Sequence, residues 1–433
     1  IYTLLEIPDD IFVSIFALAR IPGWTAQVTE QLDNNILIRP LLEYVGDLDI
    51  PYINIDERWS NFEFIYMIRD NLKKHFGQNI LNSYDQFMNF KLYDSNQGYY
   101  SKSNKNLWES DYFTSPMIHP VFAYLIARYI YSTWLTLNKP SDFHLIEIGG
   151  GGLYLIKEII NSLKLIDQKF SEQCKIIVID KNFHNTLDID NDLNLVIADT
   201  FCFKNIKGFV LSNELFDAMP FKRIIYKNDK YYEILFKIND GLNEELEQIN
   251  FESFSYFESS NYSINNKVYT YSDLHENLIN QIWAGLDLGV VLSFDYGYTS
   301  DQLNANASLN TDSRVISNNK IIRNIYPSEK SDISCFVNFD LLNIFYKNAG
   351  FESVYLGSQS DFLNQLGIKG YAKAYYDSNR TIADKSKTMR FMQDLVDEEI
   401  FGNYLVLAVS KGKDNINQNQ LVNKINSMDI LIN

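Results

Sequence analysis

The chain has 433 residues, of which 46% are hydrophobic and 15% aromatic, enough to bury sizeable cores in two or three domains. Its formal net charge is −17, so its field repels nucleic acids and anionic membranes, and neither is expected as a partner. No apolar run has the length of a membrane-spanning helix, and three cysteines without a C-x-x-C spacing favour a reducing, cytoplasmic location.

The first two regions of the chain predict helices. In residues 1–59, Phe12, Ile15 and Phe16 recur at helical spacing, and we expect a downstream segment or a partner to cover this apolar face. Residues 60–140 also predict mostly helices, which we expect to pack beside a ligand cleft. No basic region or cleavage signal is recognised after Ile1, and we expect the chain to be a segment of a longer polypeptide.

Between residues 141 and 412, strand and helix patterns alternate, which predicts an α/β core with a doubly wound, mostly parallel sheet. Strands are expected near residues 145, 175, 195, 209, 224, 290 and 404. We expect an antiparallel edge strand at 401–409. Two insertions interrupt the core: 226–271 is expected to be β-rich, and 301–331 a mobile loop. Residues 413–433 are polar and typical of a linker-like tail.

A turn of consecutive glycines follows the first strand of this core. Gly149, Gly150 and Gly151 leave no side chain between the main chain and a ligand, and Glu147 before them suits a positively charged one. The dinucleotide pattern fits poorly, because Leu153 stands where a further glycine is wanted, whereas S-adenosylmethionine (SAM) has no pyrophosphate and fits the turn. A glycine-rich loop without a ligand is the alternative.

Polar residues end the strands that follow. Asp180 lies one strand-helix-strand unit after the glycines, where an acid can accept the ribose hydroxyls or can cap a helix. Asp199, after the next strand, is a further cofactor candidate. Asn213, Glu214 and Asp217 crowd the end of the strand near residue 209, at the edge where open α/β sheets bind ligands. Helix capping by Asn213 is the alternative there.

Six blocks of the chain carry a family resemblance. Asn213-Glu-Leu-Phe-Asp-Ala-Met-Pro resembles the N-E-F-F-D-A-L-P signature of MidA-like methyltransferases, the family that includes the mitochondrial complex I assembly-factor arginine methyltransferase. The other blocks, in family order, are Tyr93-Asp-Ser-Asn-Gln-Gly-Tyr-Tyr, Asp111-Tyr-Phe-Thr-Ser-Pro, Glu147-Ile-Gly-Gly-Gly, Ser293-Phe-Asp-Tyr-Gly and Gln359-Ser-Asp-Phe-Leu-Asn-Gln-Leu-Gly-Ile. The resemblance spans residues 80–410. It implies a Rossmann-like class I methyltransferase that converts SAM to S-adenosylhomocysteine.

The resemblance and the strand ends together assign a candidate site. The expected cofactor-binding residues are Thr114, Ser115, Glu147, Gly149, Gly150, Gly151, Asp180, Asp199, Asn213 and Glu214. The catalytic candidates are Tyr93, His119, Glu214 and Asp217. His119 is either a base or a structural histidine. The five histidines lack i,i+3 or i,i+4 pairing, so no metal site is expected.

Three positions depart from the family pattern. Met117 stands where the family has an acid, Phe336 where it has a histidine, and Asn338 where it has an aspartate. Because acids hold a guanidinium in a planar fork, these changes predict an altered acceptor. The alternative is that the three positions are structural.

The first stretch resembles a second family. Residues 7–27 and 30–46 are similar to the C-terminal end of citrate synthase, in which the arginine here numbered Arg39 contacts a substrate carboxylate. The upstream catalytic residues of that family are missing, and Gln27 replaces a histidine. Residues 1–59 are therefore expected to be a helical remnant used for packing.

The acceptor is open to three hypotheses. A domain from a biosynthetic multienzyme of the polyketide-synthase type, making a natural product, would methylate carbon of an acyl thioester on an acyl carrier protein, and the apolar Met117 and Phe336 favour this. The rival is arginine methylation of a protein partner, for which Glu214 and Asp217 survive. The third is a non-catalytic assembly factor. The oligomeric state stays open.

Overall fold

The computed structural model describes residues 20–22, 25, 72–94, 98–100, 115–181, 193–239, 242–249, 263–317, 320–322, 325–326, 331–412 and 416–432. The chain divides into two compact units, Ile1–Phe62 and Glu63–Asn433, and the architecture below is that of the second unit. The predicted apolar face of Phe12, Ile15 and Phe16 lies outside the described residues.

Strands and helices of the described residues are numbered in chain order. The strands are β1 His144–Ile148, β2 Lys175–Asp180, β3 Leu193–Ile197, β4 Ile206–Asn213, β5 Lys222–Lys227, β6 Lys230–Ile238, β7 Leu242–Gln248, β8 Val268–Tyr271, β9 Leu286–Asp295, β10 Gly297–Tyr298, β11 Ser313–Ser317, β12 Lys320–Ile322, β13 Asp332–Cys335, β14 Val337–Asn338, β15 Glu352–Ser358 and β16 Leu405–Lys411. The helices are α1 Tyr84–Tyr93, α2 Ser115–Ile118, α3 Val121–Thr136, α4 Tyr154–Ile166, α5 Gln168–Gln173, α6 Asp273–Gly285, α7 Ser300–Ala305, α8 Phe339–Ala349, α9 Gln359–Gln365, α10 Ile368–Asp377, α11 Ile382–Val396 and α12 Gln418–Asn426.

A seven-stranded sheet in the order β15-β16-β9-β4-β1-β2-β3 forms the centre of the fold. The strands from β9 to β3 are parallel, and β16 is antiparallel to both of its neighbours. The predicted Rossmann-like α/β fold is confirmed. The antiparallel strand, however, lies one position in from the edge, because β15 pairs along its outer side. Its continuous apolar run, Leu405 to Val409, suits a strand that is buried on both faces.

Helices cover both faces of this sheet. Helix α3 is buried around most of its circumference and packs against α4 and α12. The tail predicted as a linker instead carries α12, whose Leu421 and Ile425 are buried in this core. Buried Arg128 of α3 donates hydrogen bonds to the carbonyls of Ile425 and Met428, at 2.6 and 3.1 Å, and so caps the end of α12.

The predicted β-rich insertion is confirmed as a four-stranded antiparallel sheet in the order β7-β6-β5-β8. Strand β5, which was predicted for the main sheet, belongs here. It forms a hairpin with β6 through Asn228 and Asp229, which both have positive φ as a two-residue hairpin turn requires. That local turn pairs β5 with the next strand along the chain and keeps it out of the parallel sheet.

The segment 301–331, predicted as a mobile loop, contains regular structure where it is described. It includes most of α7, and β11 pairs antiparallel with both β12 and β13 in a small sheet. Val315 of β11 and Ile333 of β13 are buried opposite each other, so this sheet contributes to the core. Across the described residues, no helix is both long and apolar enough to cross a membrane.

Candidate functional site

The carboxyl ends of β1, β2 and β4 meet at one edge of the sheet, around a cavity of about 730 Å³. Ten predicted site residues line it: Tyr93, Glu147, Gly149, Gly150, Gly151, Asp180, Asp199, Asn213, Glu214 and Asp217. Residues at or just after the ends of four separate strands, β1 to β4, therefore converge here with Tyr93 of α1.

The glycine turn after β1 needs its glycines for backbone reasons. Gly149 has φ of +78° and donates its N–H to the carbonyl of Ile179 at 2.8 Å, which ties the turn to the end of β2. At Gly150, a Cβ atom would lie 2.1 Å from Cγ1 of Val178. The main chain consequently passes too close to β2 to carry a side chain at this position.

Two acids face this turn. Asp180, at the end of β2, accepts a hydrogen bond from the backbone N–H of Gly151 at 3.0 Å. Glu147 is buried, and its Oε2 has no hydrogen-bond partner. Burial, and secondarily the charge of Asp180, raise the pKa of Glu147 to about 8. A buried carboxylate oxygen without a partner is costly, so a cationic ligand at this position would remove a penalty.

Hydrogen bonds to the neighbouring strand, β9, fix the turn that follows β4. Glu214 has φ of +50°, which is strained for a residue with a side chain, and its N–H donates to the carbonyl of Phe294 at 2.9 Å. Oδ2 of fully buried Asp295, at the end of β9, accepts the backbone N–H groups of Phe216 and Asp217 at 2.9 and 3.2 Å. The neighbouring strand thereby fixes the direction of the Glu214 and Asp217 side chains.

Three carboxyl groups line one part of the cavity together. We call Glu214, Asp217 and Asp332 the acidic end of the cavity, which all three line. The Tyr296 hydroxyl donates a hydrogen bond to Asp217, and the Tyr100 hydroxyl donates to Asp332 at 2.8 Å. Asp332, Tyr100 and Tyr296 were not predicted as site residues, although Tyr100 and Tyr296 both fall in sequence blocks that resemble family motifs.

Burial governs the protonation of this acidic end. It raises the pKa of Glu214 to about 8, with the charge of Asp217 adding to the effect. It raises the pKa of Asp217 to about 7, although the hydrogen bond from Tyr296 opposes the rise. Burial and the nearby Asp217 hold the pKa of Asp295 well above its usual range. Asp217 is therefore able to exchange a proton near neutral pH.

The remaining predicted site residues do not belong to the acidic end. Thr114 lies outside the described residues. Buried Ser115 donates to Oε1 of Gln359 at 3.3 Å, and His119 accepts the N–H of Val121 at Nδ1 and faces Tyr375, so neither lines the cavity. Tyr93 does line it, but its hydroxyl donates to the carbonyl of Ala218 at 2.8 Å and thereby supports the turn that carries Asp217.

The three positions that depart from the family pattern lie in different surroundings. Met117 lines the cavity. Asn338 instead caps α8, with Oδ1 accepting the N–H of Leu341 at 3.0 Å, a role that aspartate fills equally well. Phe336 packs against the Tyr296 ring from outside the cavity, with ring centroids 5.7 Å apart. Phe336 and Asn338 therefore fit the alternative that these positions are structural, whereas Met117 stays a candidate for contact with the acceptor.

These features fit SAM. Glu147 offers an unpartnered buried acid for the ammonium group, the turn has no side chain at Gly150, and Asp180 lies at the strand end where ribose hydroxyls bind. The cavity is large enough for a cofactor together with part of an acceptor. Among the described residues, no group of three or more His, Cys, Asp or Glu side chains could hold a metal ion.

Known proteins share this sequence pattern. The family described as "Putative S-adenosyl-L-methionine-dependent methyltransferase" matches residues 125–356, more than half of the chain. A Drosophila melanogaster protein named protein arginine methyltransferase NDUFAF7 homolog, mitochondrial, is 25% identical over 256 residues, which are 50% of this chain and 57% of that protein. The chain thus spans little more than half the length of this curated relative.

The first stretch has different relatives. The C-terminal domain of citrate synthase matches residues 1–41. The 2-methylcitrate synthase 2 of Corynebacterium glutamicum is 47% identical over 57 residues, 13% of this chain and 15% of that enzyme. The predicted resemblance to the end of citrate synthase is confirmed, and it is confined to a small part of those enzymes.

The fold also has a solved counterpart. A Burkholderia thailandensis protein crystallised with S-adenosyl-homocysteine superposes with a TM-score of 0.66 at 18% identity, covering 84% of this chain and 96% of that one. At this identity the likeness shows the fold alone. Together with the family match, it confirms the predicted SAM-dependent class: the chain belongs to a family of S-adenosyl-L-methionine-dependent methyltransferases.

Proposed function

We propose that this protein methylates a nitrogen of a guanidinium-bearing acceptor; the Drosophila relative is named as a protein arginine methyltransferase. The observation that carries the proposal is the acidic end of the cavity, where Asp217 and Asp332 both raise the pKa of Glu214 and Asp332 also raises the pKa of Asp217. A guanidinium is permanently cationic and presents a planar fork of N–H donors, so clustered carboxylates are its natural receptor.

The chemistry needs positioning and one proton acceptor. When bound, SAM supplies a methyl group whose bond to sulfur breaks as the bond to the acceptor nitrogen forms. The acidic end would hold the guanidinium in line and exclude water. The nitrogen must lose a proton as it gains the methyl group, and Asp217, with a pKa of about 7, would take it. Tyr296 would steady the Asp217 carboxylate through its hydrogen bond.

Carbon methylation of an acyl thioester on an acyl carrier protein has less support. The apolar Met117 favoured it, but Phe336 and Asn338 do not line the cavity, and the acidic end would have to stay desolvated beside an uncharged acyl group. Burying carboxyl groups without cationic partners is costly. A cationic acceptor would supply the partners that these carboxyl groups lack, and they would then stabilise its binding.

The test is to incubate the protein with SAM and, separately, with arginine-bearing proteins and with acyl-loaded carrier proteins, and to read intact masses. We expect a gain of one methyl group on an arginine substrate. The Asp217→Asn variant should lose roughly 10²- to 10⁴-fold in rate, whereas Asp301→Asn, at an exposed position on α7, should not.

A methyl gain on the carrier protein alone would overturn the proposal in favour of the biosynthetic hypothesis. No gain on either acceptor, with S-adenosylhomocysteine still binding, would overturn it in favour of a non-catalytic assembly role.

A further inference from the structure

A single arginine lies among the acids of the cavity without pairing to any of them. Arg314, on β11, lines the cavity, and its charge lowers the pKa of both Glu214 and Asp217. Nevertheless, among the described residues, no carboxylate oxygen lies within 4.0 Å of its guanidinium nitrogens, and its buried Nε has no hydrogen-bond partner. The guanidinium is close to negative charge but is bonded to none of it.

The neighbouring structure keeps Arg314 in this position. Its strand, β11, lies between β12 and β13, and Arg314 lies opposite Ser334 of β13. Asp312 lies two residues before Arg314. Buried Arg223 donates hydrogen bonds from Nε and Nη2 to the two carboxylate oxygens of Asp312, at 2.9 and 2.8 Å. The guanidinium carbon of Arg314 lies 5.6 Å from the ring centroid of Tyr296. The pairing of β11, the ion pair between Arg223 and Asp312 and the Tyr296 ring together restrict movement of the Arg314 side chain toward an acid.

Two of the acids accept hydrogen bonds from tyrosines, although Oδ1 of Asp217 is buried without a partner among the described residues. One oxygen of Asp217 is occupied by the Tyr296 hydroxyl, and Oδ1 of Asp332 accepts from Tyr100. The other cation in the cavity wall, Lys181, differs from Arg314: it sits 4.0 Å above the Tyr93 ring and interacts with Asp180 and Asp199 at the glycine side. Of these two cations, Arg314 is therefore the one that faces the acidic end.

A guanidinium has five fixed donors and no neutral form in proteins, so leaving it partly buried and unbonded is unfavourable until an acceptor arrives. We propose that Arg314 is the receptor for a carboxylate group that a ligand brings into the cavity. That carboxylate belongs either to the amino-acid portion of the cofactor or to the acceptor beside its guanidinium. The second source rests on the proposed function, whereas the first rests only on cofactor binding.

Two pairs of ligands distinguish the two sources of the carboxylate. Within each pair, the two members differ only by one carboxylate group. The first pair is S-adenosylhomocysteine and its decarboxylated analogue. The second, measured on protein saturated with S-adenosylhomocysteine, is free arginine and agmatine, which is arginine without its carboxylate. Titration calorimetry on the full chain gives the affinity ratio within each pair for the unmodified protein and for Arg314→Gln.

We expect the unmodified protein to prefer the carboxylate-bearing member of one pair by roughly 10- to 100-fold, and Arg314→Gln to bring that ratio close to one. If Arg314→Gln loses the preference in the first pair, the carboxylate that Arg314 binds belongs to the cofactor. If it loses the preference in the second pair, that carboxylate belongs to the acceptor. Arg314→Lys, which keeps the charge but not the fork, should retain part of the preference. Arg380→Gln, at an exposed arginine above the Tyr375 ring, should leave both ratios unchanged.

The proposal is overturned if Arg314→Gln, with a thermal transition like that of the unmodified protein, leaves both ratios as they were. It is likewise overturned if the unmodified protein prefers neither carboxylate. Failure of the proposed function looks different: neither arginine nor agmatine binds, while the cofactor pair still reports on Arg314.

Discussion

Oδ2 of Asp295 accepts a hydrogen bond of 2.9 Å from the backbone N–H of Phe216, 79 residues earlier in the chain. The same oxygen accepts the N–H of Asp217, and Oδ1 accepts the N–H of Tyr296. One buried carboxyl group thus joins the end of β9 to the turn after β4. Pre-organisation of the acidic end depends on this link, because the turn also carries Glu214 with its strained φ.

Asp295 should therefore be more important as a hydrogen-bond acceptor than as a charge. Asp295→Ala leaves buried N–H groups of Phe216 and Asp217 without partners, and we expect it to lower the free energy of unfolding by about 2–4 kcal/mol. Asp295→Asn keeps an acceptor for these two groups and should cost about half as much. Urea unfolding of the two variants measures the difference, and equal losses would contradict this role.

Removing the Tyr296 hydroxyl should change the pH dependence of methyl transfer. Its hydrogen bond lowers the pKa of Asp217, so Tyr296→Phe should raise that pKa above about 7. If ionised Asp217 is the proton acceptor, the acidic limb of the pH–rate profile will move to higher pH. Tyr404→Phe is the matched control, since Tyr404 lines the same cavity but its hydroxyl makes no hydrogen bond to Asp217. An unshifted limb in Tyr296→Phe would remove Asp217 from this role.

Cofactor binding should release a proton from Glu147. Because its pKa is about 8 in the ligand-free protein, this group is largely protonated at pH 7, and a bound ammonium group favours the ionised form. Affinity for S-adenosylhomocysteine should therefore rise with pH up to about 8 and then level off. Calorimetry at pH 7 in buffers of different ionisation heat counts the protons released, and Glu147→Gln should release fewer. Equal proton release by both proteins would show that Glu147 does not respond to the ligand.

The ligand-free protein should lose stability as pH rises from about 6.5 to 8. Glu147 and Glu214 have folded-state pKa values of about 8 against 4.5 when unfolded, so the folded state holds more protons across this range, and stability falls until pH passes 8. Below 6.5 the effect is masked, since His119 and His275 have pKa values lowered to about 4 and act in the opposite direction.

Melting temperatures measured across this range, without ligand, test the sign of the dependence. Glu214→Gln should flatten the curve, because it removes one of the protons that the folded state retains. A melting temperature that rises between pH 6.5 and 8 would show that these carboxyl groups are ionised in the folded protein.

Much of the glycine side of the site could be predicted from sequence. Gly149 and Gly150 stand out because backbone conformation and close approach restrict those positions to glycine, and Asp180 stands out because it directly ends a β-branched strand. Two of the three acids at the acidic end, Glu214 and Asp217, were predicted, and Asp332 was not. Asp217 follows its strand closely, whereas Asp332 begins β13 of a small sheet, directly after the segment 301–331 whose composition indicated a loop.

Contacts between distant residues explain the corrections. His119 lies close in sequence to the predicted cofactor-binding segment, yet it packs beside Tyr375, and Asn338 serves its own helix as a cap. Strand β16 was recognised, but its place depended on whether 352–358 would form a strand beside it. No local pattern reports which strand will pair along an outer edge.

The sequence by itself determined the family, the alternation of strands and helices and the glycine turn, because periodicity and backbone requirements act between near neighbours along the chain. Tertiary structure alone decided that Asp295 holds the turn carrying Asp217, that Tyr296 and Asp332 complete the acidic end, and that Arg314 lies unpaired among the acids. The physical reason is that burial and hydrogen bonding depend on which strands become neighbours, and that choice belongs to the packing of the whole domain.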